Sequence, residues 1–268
     1  MHRAAGRDGD PVSRQSLRDR AIGAAKRHLP ARLRQQVVRA QRALRLQWPP
    51  AGAVRFGSLR RLTPISPIFG FDRGSPIDRY YIDAFLDRHR RDIHGRALEF
   101  GGTAYLDKFG DDRVLRKDVF SYVPSPDATL VGDLTGAEVI TPATFDCIVC
   151  TQTVQMIYDI RLAITRLHGM LKPGGVLLLT ANGIVRTGRY LDRDGWGEYW
   201  HLTQQGARSL FDENFDGAFE VEGYGNVLSA VALLHGLASS ELTREELDHH
   251  DRDYDVIVAV RAVRSGRS

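Results

Sequence analysis

Leu98-Glu99-Phe100-Gly101-Gly102-Thr103-Ala104-Tyr105 is the run of residues on which the fold turns. A short apolar strand, Arg96 to Phe100, delivers an acid and a glycine turn at its carboxyl end. Open α/β sheets bind ligands at that end of their strands. Glycine allows the tight turn and lets a ligand approach the backbone. A second strand is read over Arg113 to Asp118, and Asp118 follows the turn by about 20 residues, a spacing that suits a carboxylate holding ribose hydroxyls.

Downstream, strands and helices alternate. Ala128 to Val131 is a third strand, ending at Gly132-Asp133, and Phe145 to Cys150 is a fourth, continuous and apolar. Ile157 to Leu171 has helical spacing through Ile160, Ile164, Leu167 and Leu171. Lys172-Pro173-Gly174-Gly175 breaks it, and Val176 to Thr180 is a fifth strand. A helix over Thr203 to Phe215 precedes two last strands, Ala218 to Tyr224 and Tyr254 to Val263, with a helical stretch between them. This alternation implies a mostly parallel sheet covered by helices on both faces. Upstream, Ser75-Pro76-Ile77-Asp78 reads as a helix start with Ser75 as N-cap. Ile77, Tyr81, Phe85 and Leu86 form its buried face.

The 268 residues are 43% hydrophobic and 26% charged, which excludes a disordered or collagen-like chain. No stretch approaches the roughly 20 apolar residues of a membrane span, and the N-terminus has no apolar core of a secretory signal. Cys147 and Cys150 stand on one strand and point to opposite faces, so core packing is expected over a disulfide, zinc or redox site. A cytoplasmic protein is the expectation.

Charge is unevenly spread. Residues 1–47 carry twelve Lys/Arg against three Asp, while the remainder is net acidic. Leu17, Ala21, Ala24 and His28, then Leu33, Val37, Ala40 and Leu44, repeat at helical spacing among arginines. The arm reads either as helix packed on protein or as a basic amphipathic helix on an anionic membrane surface or nucleic acid. The expected organisation is a basic helical arm over 1–50, a cap segment over 51–94 and a catalytic domain over 95–268.

Glu99-Phe100-Gly101, Asp133-Leu134, Phe145-Asp146 and Leu171-Lys172-Pro173-Gly174-Gly175, in this order, resemble the class I S-adenosylmethionine (SAM)-dependent methyltransferases. Gly74 to Ile82 and Trp196-Gly197-Glu198-Tyr199-Trp200 resemble a bacterial subgroup often associated with glycosyltransferases. The resemblance implies a Rossmann-like seven-stranded sheet with a reversed last hairpin, preceded here by the helical extension. It implies that Glu99, Gly101 and Gly102 lie at the methionine end of SAM, that Asp118 holds the ribose, and that Asp133 and Leu134 meet the adenine. Thr151 and Gln152 would face the methyl-transfer site. The family's usual glycines are replaced by Thr103 and Tyr105.

The expected activity is methyl transfer from SAM to a small-molecule or glycan acceptor, at a hydroxyl oxygen. Such an acceptor profits from a general base, and His201 is the first candidate, with Asp159, Asp192, Asp194 and Tyr199 as alternatives. Arg79, Tyr80, Tyr81, Trp196 and Trp200 are candidate acceptor contacts. No metal site is expected; Asn182 is the only fragment of the cluster that metal-dependent O-methyltransferases use. The rival readings are an RNA methyltransferase gripping phosphates with its arm and a non-catalytic SAM-binding scaffold.

Overall fold

The computed structural model describes residues 52–136, 141–189 and 197–266, with Pro30, Arg32, Leu33, Gln35, Gln36, Ala40 and Pro49 from the N-terminal stretch. The chain divides into two compact units, Met1–Arg60 and Arg61–Ser268. In the first, Arg32, Leu33, Gln35, Gln36 and Ala40 are helical and exposed, and Gly57–Leu59 forms one 3-10 turn. The rest of the basic arm lies outside the described residues, as do Asp192, Asp194 and Trp196.

The second unit is built on seven strands: β1 (Gly95–Phe100), β2 (Val114–Ser121), β3 (Leu130–Val131), β4 (Phe145–Thr151), β5 (Leu171–Asn182), β6 (Phe219–Tyr224) and β7 (Ile257–Val263). Their order is β3-β2-β1-β4-β5-β7-β6. The first five run parallel; β7 is antiparallel to β5 and to β6, which gives the reversed hairpin. The described helices are α1 (Ile77–Arg88), α2 (Ala104–Phe109), α3 (Ile160–Met170), α4 (Gln204–Phe215), α5 (Val227–Leu234) and α6 (Arg244–Asp248).

Two cores lie on the two faces of the sheet. Ile164, Leu167, Phe211 and Phe215 of α3 and α4 pack on one. Ile77, Ile82, Phe85, Leu86 and Leu106 of α1 and α2 pack on the other, together with Ala230 and Leu233 of α5. Truncating a fully buried aromatic such as Phe85 would cost about 3–5 kcal/mol. Because side chains alternate along a strand, Cys147 belongs to one core and Cys150 to the other. Burial raises both thiols, Cys150 to about 12. Neither thiol is expected to react with a disulfide reagent at pH 8 until the protein is unfolded. Prompt labelling of the native chain would contradict this packing.

Several boundaries differ from the sequence reading. Strand β2 runs three residues past Asp118, because Val119 and Phe120 continue the ladder opposite Glu99 and Phe100. Helix α1 has Pro76 as N-cap with no side-chain cap; the Ser75 carbonyl instead accepts the Ser239 N–H. Helix α3 begins at Ile160, since the Asp159 carboxylate accepts the Leu162 N–H and starts it there. Lys172-Pro173-Gly174-Gly175 does not stand before β5 but is looped out of it. Phe145 pairs with Leu171 and Cys147 with Val176, and the loop is anchored by the Lys172–Asp146 ion pair at 2.7 Å. Thr203 caps α4 by accepting the Gly206 N–H.

Candidate active site

A cleft of about 940 Å³ opens at the carboxyl ends of β1, β2, β3 and β4. The chain winds away in opposite directions from β1 and β4, so this is the switch point where a doubly wound sheet leaves a crevice.

The glycine turn forms its floor. Gly101 has φ +81°, a conformation that disfavours any side chain, and its N–H is held by the Phe120 carbonyl. A Cβ at Gly101 or Gly102 would meet nothing within 4 Å, so both look onto open space. Thr103 has φ −122°, ordinary for an L-residue, and its hydroxyl donates to Asp107. Tyr105 already lies in the first turn of α2. Neither substituted position therefore demanded glycine for its backbone.

Glu99 is buried, and its carboxylate accepts the N–H groups of Tyr105 (3.1 Å) and Leu106 (2.8 Å) at the start of α2. Burial raises its pKa to about 7, against the two backbone bonds, which lower it. Arg79, at the start of α1, reaches the same side of the cleft and donates to the Tyr105 hydroxyl at 3.3 Å. Burial pulls the guanidinium down, but Asp78, Tyr105 and Asp83 outweigh it and hold it charged.

On the β2–β3 side, Ser121 and Tyr122 line the cleft beside Asp133 and Leu134. Asp133 accepts the backbone and hydroxyl of Thr135, which aims the strand end, and Leu134 is buried beneath. At the end of β4, Thr151 and Gln152 form the far wall. Gln152 has φ +49°, its N–H is held by the Thr180 carbonyl, and its Oε1 accepts from Gln155. A non-glycine residue in this region stores of order 1–3 kcal/mol and is held there only by its surroundings.

The open side is aromatic. The rings of Tyr158 and Tyr199 meet edge to face at 5.4 Å, and Trp200 stacks behind Tyr158 at 6.3 Å. The Trp200 indole N–H donates to the Ile157 and Tyr158 carbonyls, so Trp200 backs the wall and does not line it. Asp159 stands at the foot of this wall.

The structure thus brings Glu99, Gly101, Gly102, Asp133, Leu134, Thr151, Gln152 and Arg79 to one cleft. Besides Trp200, four expectations are corrected. Asp118 does not reach the cleft: it is 1% exposed and accepts two bonds from Arg96, at 2.7 and 3.2 Å, and one from Arg116. His201 lies outside the lining and faces Glu198 at 3.4 Å. Tyr80 and Tyr81 point to another cavity, where they bond Asp248 and the Leu247 carbonyl. Helix geometry explains the last correction. Arg79 faces the cleft, and its neighbour in sequence projects about 100° away. Sequence reading missed Ser121, Tyr122 and Tyr158. The first two follow once β2 is extended; Tyr158 carried no signal beyond its place before the α3 cap.

A family model described as a methyltransferase domain matches residues 111–179. No curated protein matches the chain. Among solved structures, a SAM-dependent methyltransferase from Mesorhizobium loti is similar at 17% identity over 73% of this chain and 100% of that one, with a TM-score of 0.45. A SAM-dependent methyltransferase from Archaeoglobus fulgidus is 12% identical over 74% and 100%, with a TM-score of 0.46. The N-methyltransferase NodS from Bradyrhizobium japonicum, in complex with S-adenosyl-L-homocysteine, is 15% identical over 78% and 97%, with a TM-score of 0.42.

Proposed function

We propose that this chain is a class I SAM-dependent methyltransferase that transfers the methyl group to a hydroxyl of a small polar acceptor or glycan. The observation that carries this reading is the joining, in one cleft, of an open glycine turn, a strand-end acid and an aromatic wall with a carboxylate at its foot.

The residues fit the cofactor. Missing side chains at Gly101 and Gly102 leave space for a ligand against the backbone. Glu99 and Arg79 offer opposite charges for the amine and carboxylate of the methionine end. Ser121 and Tyr122 line the cleft with hydroxyls that would suit the ribose, and Asp133 with the Leu134 backbone would suit the adenine edge. When bound, SAM supplies a methyl group on a sulfonium, an electrophile that needs no metal.

The chain's own task is then to orient an acceptor and remove its proton. Tyr158 and Tyr199 offer ring surface to the C–H face of a sugar. Asp159 Oδ1 accepts the Leu162 N–H, so Oδ2 is the oxygen left to take a hydroxyl proton. The acceptor oxygen so deprotonated would be free to take the methyl group that bound SAM would supply.

Asp159→Asn separates capping from proton transfer, because Asn caps a helix as well as Asp. Turnover of labelled SAM on polar hydroxyl acceptors is expected to fall by about 10²-fold or more. SAM affinity by calorimetry and melting temperature should stay unchanged. Full turnover in this variant would remove Asp159 as the base, and absence of SAM binding to the unaltered protein would end the methyltransferase reading altogether.

A further inference from the structure

A surface on the second unit is built for contact and is used by nothing described so far. Helix α5 reads Val227-Leu228-Ser229-Ala230-Val231-Ala232-Leu233-Leu234 and is apolar except for Ser229, which is buried in its N-terminal cap. Its inner face packs on the sheet through Ala230 and Leu233. Its outer side leaves Val227, Leu228 and Leu234 exposed, with Val231 half-buried between them.

The loop before α1 continues this surface. Ile65 and Ser66 donate their N–H groups to the His235 carbonyl at the end of α5. The approach is tight: a Cβ on Gly236 would fall 2.5 Å from the Ser66 carbonyl oxygen. The loop therefore sits firmly against α5, yet it turns Ile68 and Phe71 outward, and Leu62 stands wholly exposed before them. Val227, Leu228, Leu234, Ile68 and Phe71 are each between 41% and 57% exposed. Scattered exposed apolar residues are ordinary, but a clustered apolar face marks a contact.

Charge says what the contact is with. Residues 1–73, the part of the sequence that ends in this loop, carry sixteen Lys/Arg against four Asp, while residues 74–268 are net acidic. Arg186 stacks on the Phe69 ring at 4.3 Å, which places a further cation beside the loop. Glu241 beside it is already taken by Arg73 in two bonds, and Asp72 by the Ser66 hydroxyl. An apolar face joined in sequence to a polybasic segment meets the two requirements of reversible attachment to an anionic bilayer. One part inserts a few ångströms into the acyl boundary, and the other is drawn by the headgroups. No described helix is long and apolar enough to cross a membrane.

We infer that the face formed by α5 and the 62–71 loop docks the protein on an anionic lipid surface. Strands β5 and β6 both end at the edge of the sheet where α5 begins, the same end at which the cleft opens. The inference stands whatever the methyl acceptor is.

Co-sedimentation of the full chain with vesicles tests it. The unaltered protein is expected to pellet with phosphatidylcholine–phosphatidylglycerol vesicles and far less with phosphatidylcholine alone. Phe71→Ser/Leu228→Ser alters two exposed side chains, so its melting temperature should hold, while its partition onto anionic vesicles should fall by about tenfold or more. The inference is overturned if the unaltered protein ignores both vesicles, or if the variant binds as well as the parent. It is equally overturned if the protein is a dimer in solution that the variant splits, since the face would then be a contact between two copies.

Discussion

Glu99→Gln is expected to weaken SAM binding by about 10- to 100-fold and to abolish its dependence on pH below 7. Hydrogen bonds and contacts to a charged group are worth about 1.5–3 kcal/mol each, against about half that for a neutral one. The buried Glu99 carboxyl titrates near 7 in the folded chain. Below that pH it is mostly protonated and neutral. A cationic ligand favours the carboxylate, so SAM binding should strengthen as pH rises toward 7 and level off above about 8. Glutamine keeps one carbonyl oxygen for the Leu106 N–H, which holds α2 in place, but has no proton to lose. Calorimetric Kd values between pH 5.5 and 8.5 decide the matter: parallel slopes in both proteins would assign the proton to another group. The same shift acts on stability. The folded pKa of Glu99 is raised above its unfolded value of 4.5, so the folded state holds a proton that the unfolded chain has released. The contribution of Glu99 to stability should therefore fall as pH rises from about 4.5 to 7, and the glutamine variant should lack that fall.

Asp118→Ala should lower stability by about 2–3 kcal/mol and leave SAM affinity within about twofold of the parent. For a unit of this size that is a drop in Tm of about 5–10 °C. The carboxylate is buried and accepts a forked pair of bonds from Arg96, whose guanidinium also lies over the Phe145 ring at 5.3 Å. Burial alone would raise Asp118; Arg96 and Arg116 outweigh it and hold its pKa below the usual range. With a lowered folded pKa, its stabilisation is present above the unfolded value near 4 and is lost as pH falls further. A calorimetric Kd raised tenfold or more, with an unchanged Tm, would return Asp118 to the ribose.

The two variants mark where the sequence was legible. The glycine turn, Asp133-Leu134 and the end of β4 could be placed because each closes an apolar strand with polar or small residues, a pattern local to a few positions. Asp118 misled because an acid inside a strand resembles an acid at its end until its partner is known. That partner, Arg96, is 22 residues away and meets it only through sheet register. His201 misled for a related reason. It follows β5 on the correct side of the sheet, but residues 197–202 run so that Tyr199 faces inward and His201 turns to Glu198. Loop conformation of this kind depends on contacts such as Tyr199 N–H to the Gln155 carbonyl, which no spacing rule contains.

The backbone angles of the glycine turn bear on how such domains are recognised. Of the three positions where glycine is customary, only Gly101 sits where a side chain is disfavoured by φ; Thr103 and Tyr105 occupy conformations open to any residue. In this chain the turn thus demands glycine by its backbone at one position only. Drift at the other two places can proceed without loss of the turn. What shapes the cleft here is the single strained glycine, the acid before it and the strand-end pair Asp133-Leu134.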